Sequence, residues 1–306
     1  MTNAIALRSA AIIGLGALGV MFGNQMQRSL GSAFHIIVDA ERQATYATRR
    51  VTCNGDSCLF KYITPQEAAA PIDLIIFGTK YNGLQTAIET ARPFVGEDTI
   101  VMSILNGIAS EEMLADAYGK DKVLYAIAHG MDARRVGGDV EYTNMGCIEF
   151  GEGDGSDSAR VHAVAAFLDS AGVPTKTTTG IQNLFWGKLM TNVGINQTVT
   201  AYEVSYRDVQ RPGEARDTMI AAMREVVAIS QKNGVNLTES DLQKWLSILD
   251  KLDPDSYPSM RQDALARRET EVEMFAGTIM RLGKQYGVPT PVNERLYAKI
   301  TSLPVD

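Results

Sequence analysis

Ala10-Ala11-Ile12-Ile13-Gly14-Leu15-Gly16-Ala17-Leu18-Gly19-Val20 decides how the first half of this chain is read. Four apolar residues read as a buried strand. They run directly into a GxGxxG turn, and an uncharged helical pattern begins at about Ala17. Gly14 permits the tight turn, Gly16 lets the backbone approach a pyrophosphate, and Gly19 lets the helix pack closely on the strand. The helix start offers unpaired N–H groups and the positive end of its dipole to phosphates. Gly14, Leu15, Gly16, Ala17, Leu18 and Gly19 are therefore candidate cofactor-binding residues. A second apolar strand, Phe34–Val38, ends in Asp39. That is where, about 20 residues past the last glycine, an acidic side chain holds a ribose hydroxyl. A GxGxxG alone also occurs as a chance glycine-rich turn. Here strand, helix and acidic residue follow in the order a dinucleotide needs.

Outward from this motif the pattern repeats. Ala10–Ile13, Phe34–Val38, Ile72–Phe77, Thr99–Ile104 and Lys122–Ile127 read as short strands, with helical patterns over Ala17–Leu30, Tyr81–Ala91 and Glu111–Tyr118 between them. Such alternation predicts a mostly parallel sheet with helices on its faces. A strand over Cys147–Gly151, a helix near Ser158–Ser170 and a strand near Pro174–Thr178 follow. Twenty of the 27 glycines lie at or before Gly180, and beyond it the texture changes. Long periodic stretches cover Asn183–Tyr202, Arg216–Asn233, Glu239–Leu252 and Ser259–Tyr286, with a shorter one at Asn293–Ile300. Gly234, Gly287 and Pro289–Pro291 are stop signals. The expectation is an α/β protein with a dinucleotide-binding domain over residues 1–180 and an all-helical domain over 181–306.

Composition narrows the function. Hydrophobic residues make up 45% of the 306, which disfavours disorder, and the net charge of −7 argues against a nucleic-acid partner. Cys53, Cys58 and Cys147 form no CxxC, and His35, His129 and His162 are scattered, so neither a disulfide framework nor a metal site is expected. The uncharged run Ser9–Gly23 is too short to span a bilayer. It holds four glycines and lacks a clean cleavage site, so a cytoplasmic protein is expected.

Lys188, Asn192 and Asn196 stand at i, i+4, i+8 and share one face of an otherwise apolar helix. Three polar residues in line are usually a solvated face. Apolar groups nearly all round the remainder argue that this helix is buried, and a buried lysine needs a partner or a task. An ammonium that protonates a forming alkoxide, beside amides that hold a carboxylate or hydroxyl, suits carbonyl reduction. A second stripe, Ser259, Asp263, Arg267 and Glu271, reads by spacing alone as an ion-pair ladder.

The chain resembles the ketopantoate reductase (2-dehydropantoate 2-reductase) family over nearly its whole length. The resemblance rests on the fingerprint with Val20, Gly78-Thr79-Lys80, Leu105-Asn106-Gly107, Ala128-His129-Gly130, Gly138-Asp139-Val140, Gly146 and Gly151. It rests most on Trp186-Gly187-Lys188-Leu189 with Asn192 and Ile195-Asn196, then Pro258-Ser259-Met260, Gln262-Asp263, Thr270-Glu271, and Gly287-Val288-Pro289 with Pro291 and Asn293. It implies an N-terminal Rossmann domain and an all-helical C-terminal domain, with the active site in the cleft between them. It also implies Lys188 as proton donor, Glu271 as a second catalytic residue, Asn192, Asn196 and Ser259 as substrate ligands, and Lys80 and Asn106 near the nicotinamide. Were Ser259–Tyr286 one straight helix, Ser259 and Glu271 would lie about 18 Å apart and serve different parts of the site.

Gln197 replaces the family's usual proline, Tyr206 and Ser256 stand where members use asparagine, and Tyr81 follows Lys80 without the usual tryptophan-glutamine pair. The expected activity is NAD(P)H-dependent reduction of a 2-keto acid to a D-2-hydroxy acid: 2-dehydropantoate to pantoate, in pantothenate biosynthesis. The alternative is a D-2-hydroxyacid dehydrogenase acting on branched or aromatic 2-keto acids. A non-catalytic dinucleotide sensor, in which Lys188 is dispensable, is the competitor of another class. The family favours NADP, with Arg42 available to a 2′-phosphate; Asp39 favours NAD. A homodimer is also expected.

Overall fold

The computed structural model describes residues 5–136 and 139–305; Gly138, quoted above, lies outside them. The chain forms two compact units, one holding the chain through Leu105 and Ser110–Ile181, the other Asn106–Ala109 and the chain from Gln182 on.

The strands of the first unit are β1 (Ala10–Ile13), β2 (Phe34–Ile37), β3 (Thr52–Cys53), β4 (Asp56–Ser57), β5 (Tyr62–Ile63), β6 (Leu74–Phe77), β7 (Ile100–Ser103), β8 (Val123–Met131), β9 (Arg134–Val136), β10 (Asp139–Glu141), β11 (Met145–Gly151) and β12 (Thr175–Thr177). Its helices are α1 (Ala17–Leu30), α2 (Ala40–Thr48), α3 (Leu84–Ala91), α4 (Ala109–Tyr118, shared at its first residue with the other unit) and α5 (Ala159–Ser170). The main sheet runs β5-β2-β1-β6-β7-β8-β11-β12 and is parallel except where β11 lies antiparallel to β8. Its first six strands have the Rossmann order, and the strand order reverses between β1 and β6, where such sheets bind ligands.

Both faces are covered, so the central strands are continuously apolar rather than alternating. Ala10 and Ile12 of β1 pack with Met21, Phe22 and Met26 of α1 and Val161, Val164 and Leu168 of α5. Ala11 and Ile13 face Leu84, Ala87 and Ile88 of α3 and Leu114 of α4. A second sheet, β4-β3-β10-β9, which the sequence reading did not anticipate, rests Val51, Cys53 and Val140 on Val20 of α1.

The second unit contains α6 (Ile181–Tyr202, entered at its second residue), α7 (Tyr206–Gln210), α8 (Glu214–Lys232), α9 (Glu239–Leu249), α10 (Ser259–Leu265), α11 (Thr278–Tyr286) and α12 (Pro291–Thr301). Glycine costs a helix about 1 kcal/mol, yet α6 carries two. A Cβ at Gly187 would lie 2.7 Å from the Trp245 indole nitrogen, and one at Gly194 2.4 Å from Cγ of Met223. Both glycines let α9 and α8 approach α6 closely.

The single helix expected over Ser259–Tyr286 is not formed. α10 stops at Leu265, Arg267 takes a left-handed backbone (φ 50°), and a π-helical turn over Glu273–Gly277 precedes α11. The 18 Å estimate loses its basis with it, because it assumed one straight helix. Arg268 reaches back across the turn to Asp263 at 2.7 Å.

Gln197, the residue in place of the family's proline, is fully buried and donates to the Asn293 side chain (2.9 Å) and the Val193 carbonyl (2.8 Å). Asn293 donates to Glu225 (2.7 Å), and Glu225 accepts the Val292 and Asn293 backbone N–H groups that open α12. A buried network of this kind is costly to break at one member. Asn293→Ala strands Gln197 and part of Glu225, so a loss of about 1–3 kcal/mol is expected. Urea unfolding should show a lower midpoint with an unchanged slope; an unmoved midpoint would remove the network from the account.

Candidate active site

The loops after β1 and β6 lie against each other at the point where the strand order reverses. The Gly78 N–H donates to the Ile13 carbonyl at 2.9 Å. A Cβ at Gly14 (φ 105°) would sit 2.6 Å from the Gly78 carbonyl carbon and the Thr79 nitrogen, and one at Gly19 would sit 1.9 Å from the Gly14 oxygen. Those two glycines are explained by backbone packing. Gly16 is not, since a Cβ there meets only the Gly78 oxygen, at 3.6 Å. It is exposed and opens α1, whose first turn has no side-chain cap and no acidic residue. Leu15, Ala17 and Leu18 complete the turn, half-buried. The Thr79 hydroxyl oxygen is buried without a hydrogen-bond partner among the described residues. Open space at Gly16, unfilled first-turn amides and an orphaned hydroxyl are what a dinucleotide phosphate would fill. Lys80 is exposed next to that threonine.

Asp39 opens α2, accepting the Arg42 N–H at 2.7 Å and the Arg42 guanidinium at 2.5 Å. Arg42 is thus paired with Asp39. The pair is largely exposed, with side chains 60% and 34% accessible, so breaking it costs little, about 0–1 kcal/mol.

In the second unit, Lys188 and Asn192 are half-buried and Asn196 is buried along α6. Asn196 donates to Asn192 (3.3 Å) and accepts from the Ser259 hydroxyl (3.3 Å) and the Met260 N–H (3.2 Å). The α6 stripe therefore caps the start of α10, which places Ser259 beside it. Glu271 accepts from the Asn106 side chain at 3.4 Å. Gly107 (φ 84°) allows this approach: a Cβ there would lie 2.9 Å from Met274 in the π turn. Asn106 and Glu271 are 165 residues apart in sequence, so no spacing could have paired them. Thr79 was legible only as part of Gly78-Thr79-Lys80. Among the described residues no group of three or more His, Cys, Asp or Glu is placed to hold a metal, and no helix is long and apolar enough to cross a membrane.

Two family models divide the chain between them: "Ketopantoate reductase PanE/ApbA" matches residues 10–155 and "Ketopantoate reductase PanE/ApbA C terminal" residues 180–303. A 2-dehydropantoate 2-reductase of Streptococcus pyogenes serotype M1 is 23% identical over 298 residues, 94% of this chain and 96% of the relative. The solved 2-dehydropantoate 2-reductase of Geobacter metallireducens superposes with a TM-score of 0.82 at 26% identity, covering 96% of this chain and 99% of that one. A ternary structure of D-mandelate dehydrogenase with NADH and anilino(oxo)acetate gives 0.83 at 24% identity, covering 96% and 97%, and shares the fold. With both of its units matched, the chain belongs to the ketopantoate reductase family.

Proposed function

We propose that this protein reduces a 2-keto acid to the D-2-hydroxy acid with a nicotinamide dinucleotide, and that 2-dehydropantoate is its substrate. The observation that carries the reading is the Lys188, Asn192, Asn196 line on α6, bonded through Asn196 to Ser259. The relatives named 2-dehydropantoate 2-reductase support it.

A bound nicotinamide supplies the hydride that reduces the keto carbon. Lys188 donates a proton to the carbonyl oxygen as it becomes an alkoxide, which is general acid catalysis. Asn192, Asn196 and Ser259 hold the polar end of the keto acid. Asn106, held by Glu271, and Lys80 serve the nicotinamide side. The glycine turn holds the pyrophosphate and Asp39 the adenosine ribose. Asn196→Ala or Ser259→Ala should lower kcat/KM for the keto acid about tenfold or more, the worth of a hydrogen bond to a charged group. Cofactor Kd, measured by titration, should hardly move; the reverse pattern would put the substrate elsewhere.

Asp39 and Arg42 set the cofactor preference in this reading. Removing the carboxylate frees the arginine, so Asp39→Ala should shift the NADPH/NADH ratio of kcat/KM toward NADPH. A stability cost of about 1 kcal/mol from the lost cap is expected with it. An unchanged ratio would exclude Asp39 from cofactor choice.

A second reading, an apolar or aromatic 2-keto acid, has one observation in its favour. Tyr206, which stands where family members use asparagine, offers an aromatic ring in place of an amide, and burial pushes its hydroxyl pKa up to about 12. Assays crossing 2-dehydropantoate, 2-ketoisovalerate and phenylglyoxylate with NADH and NADPH decide. Highest kcat/KM on 2-dehydropantoate supports the first reading, highest on phenylglyoxylate the second, and no turnover of any of the three defeats both. The reading extends to a cytoplasmic homodimer. The three free thiols suit a reducing compartment, and a dimeric ketopantoate reductase from Staphylococcus aureus shares the fold, with a TM-score of 0.81 at 20% identity. Light scattering tests the dimer.

A further inference from the structure

Arg135 is 120 residues from the glycine turn in sequence and yet touches it. Its guanidinium donates to the carbonyl oxygen of Leu15, the second residue of the fingerprint, at 2.7 Å. The small sheet puts it there. β9 pairs antiparallel with β10 so that Arg135 stands opposite Val140, and directly paired residues share a face of a sheet. Val140 is fully buried in the cluster that packs on Val20 of α1 with Leu15 and Ala17 against it. Arg135 therefore projects toward the start of α1, while Arg134, on the opposite face, pairs with Glu141 at 3.5 Å.

The two arginines differ in what balances their charge. Among the described residues no carboxylate lies within ion-pair distance of Arg135, whose recorded bond is to a neutral carbonyl. Arg42, in α2, is already matched by Asp39. Arg135 is exposed, so its charge costs little to keep. A guanidinium has five N–H donors in a fixed fork suited to phosphate oxygens, and one bond to Leu15 leaves the others available. Beside it, the α1 start supplies N–H groups but no side-chain charge. A dinucleotide carries two phosphate charges, or about two more with a 2′-phosphate, and a helix N-terminus sets only about half a unit charge against them.

We propose that Arg135 is a phosphate-binding residue of the cofactor site, its guanidinium bridging the Leu15 carbonyl and a phosphate oxygen of the dinucleotide. This rests on the proposed use of NAD(P)H. The phosphate is that of the pyrophosphate, shared by both cofactors, or the 2′-phosphate of NADPH, and the test separates them.

The test is equilibrium binding of NADH, NADPH and ADP-ribose to the full chain by calorimetry, for wild type, Arg135→Ala and Arg135→Gln, with adenosine as the phosphate-free probe. Arg135→Gln keeps an N–H donor for the Leu15 carbonyl and loses the charge, so it separates phosphate binding from holding the loop. If Arg135 meets the pyrophosphate, both variants weaken NADH, NADPH and ADP-ribose alike by about 10- to 100-fold, the span for a charge-assisted hydrogen bond. If it meets the 2′-phosphate, only NADPH weakens. In either case adenosine binding is unchanged. The proposal is overturned if Arg135→Gln binds every ligand within twofold of wild type, or if adenosine weakens as much as the dinucleotides. If wild type itself binds no dinucleotide, the proposed function fails and this inference with it; wild-type binding with an inert Arg135 defeats this inference alone.

Discussion

Lys188→Ala is expected to lower kcat by about 10²–10⁴ while NAD(P)H affinity stays within about threefold of wild type. The lysine lies on α6 in line with Asn192 and Asn196, and Asn196 is fastened to α10 through Ser259 and the Met260 N–H. The backbone that presents the ammonium is therefore braced by neighbouring helices. Truncation at residue 188 removes the ammonium without removing this brace, so the loss should appear in the chemical step. Lys188→Arg is expected to be nearly as slow, because a guanidinium stays protonated and makes a poor acid. Steady-state kinetics on the best keto acid, with cofactor titration alongside, checks both. A Lys188→Ala enzyme keeping more than half of wild-type kcat would end the assignment of the proton donor.

The three fingerprint glycines should divide into two kinds when each is replaced by alanine. Gly19→Ala forces a Cβ to 1.9 Å from the Gly14 oxygen, and Gly14→Ala forces one to 2.6 Å from the backbone of Gly78 and Thr79 at a φ of 105°. In both, backbone must move in the strand–turn–helix unit that anchors the core, and a loss of at least 2–3 kcal/mol is expected. Gly16→Ala meets only a carbonyl oxygen at 3.6 Å, an ordinary contact, so stability should be unchanged or slightly raised through the unfolded chain. Its added methyl instead occupies space next to the first-turn amides, and cofactor affinity should fall at least tenfold. Thermal unfolding of the apo-protein and cofactor titration separate the two behaviours. A Gly16→Ala protein that folds and binds cofactor normally would mean that the phosphates do not approach this glycine.

How much of this was legible in the sequence depended on how local the cause was. β1, the glycine turn and the start of α1 are written in eleven consecutive residues, because strand, tight turn and helix start are fixed by near neighbours. The α6 stripe was legible for the same reason: one helical period places Lys188, Asn192 and Asn196 together. The break after Leu265 was hidden because no glycine or proline marks it: residues 267–271, Arg-Arg-Glu-Thr-Glu, are polar and read as an exposed stretch of the same helix. Arg267 carries no glycine-like signal for its left-handed backbone, and the π turn at Glu273–Gly277 has a glycine only at its last residue. The small sheet was missed because its strands are two or three residues long, too short for alternation to register. The Asn106–Glu271 and Arg135–Leu15 bonds span 165 and 120 residues, and only the folded chain brings such partners together. Position alone shows Asp39 at the end of the second strand but not its bonds: its carboxylate caps α2 and pairs with Arg42.

The most direct test of the account is to follow the hydride itself. Wild-type protein is incubated with 2-dehydropantoate and NADH or NADPH deuterated at C4 of the nicotinamide, each C4 epimer in turn, and the product is resolved by chiral chromatography with mass detection. The account predicts D-pantoate carrying one deuterium at C2 with one of the two epimers and none with the other. A cofactor that binds yet delivers no deuterium to 2-dehydropantoate, 2-ketoisovalerate or phenylglyoxylate would contradict it.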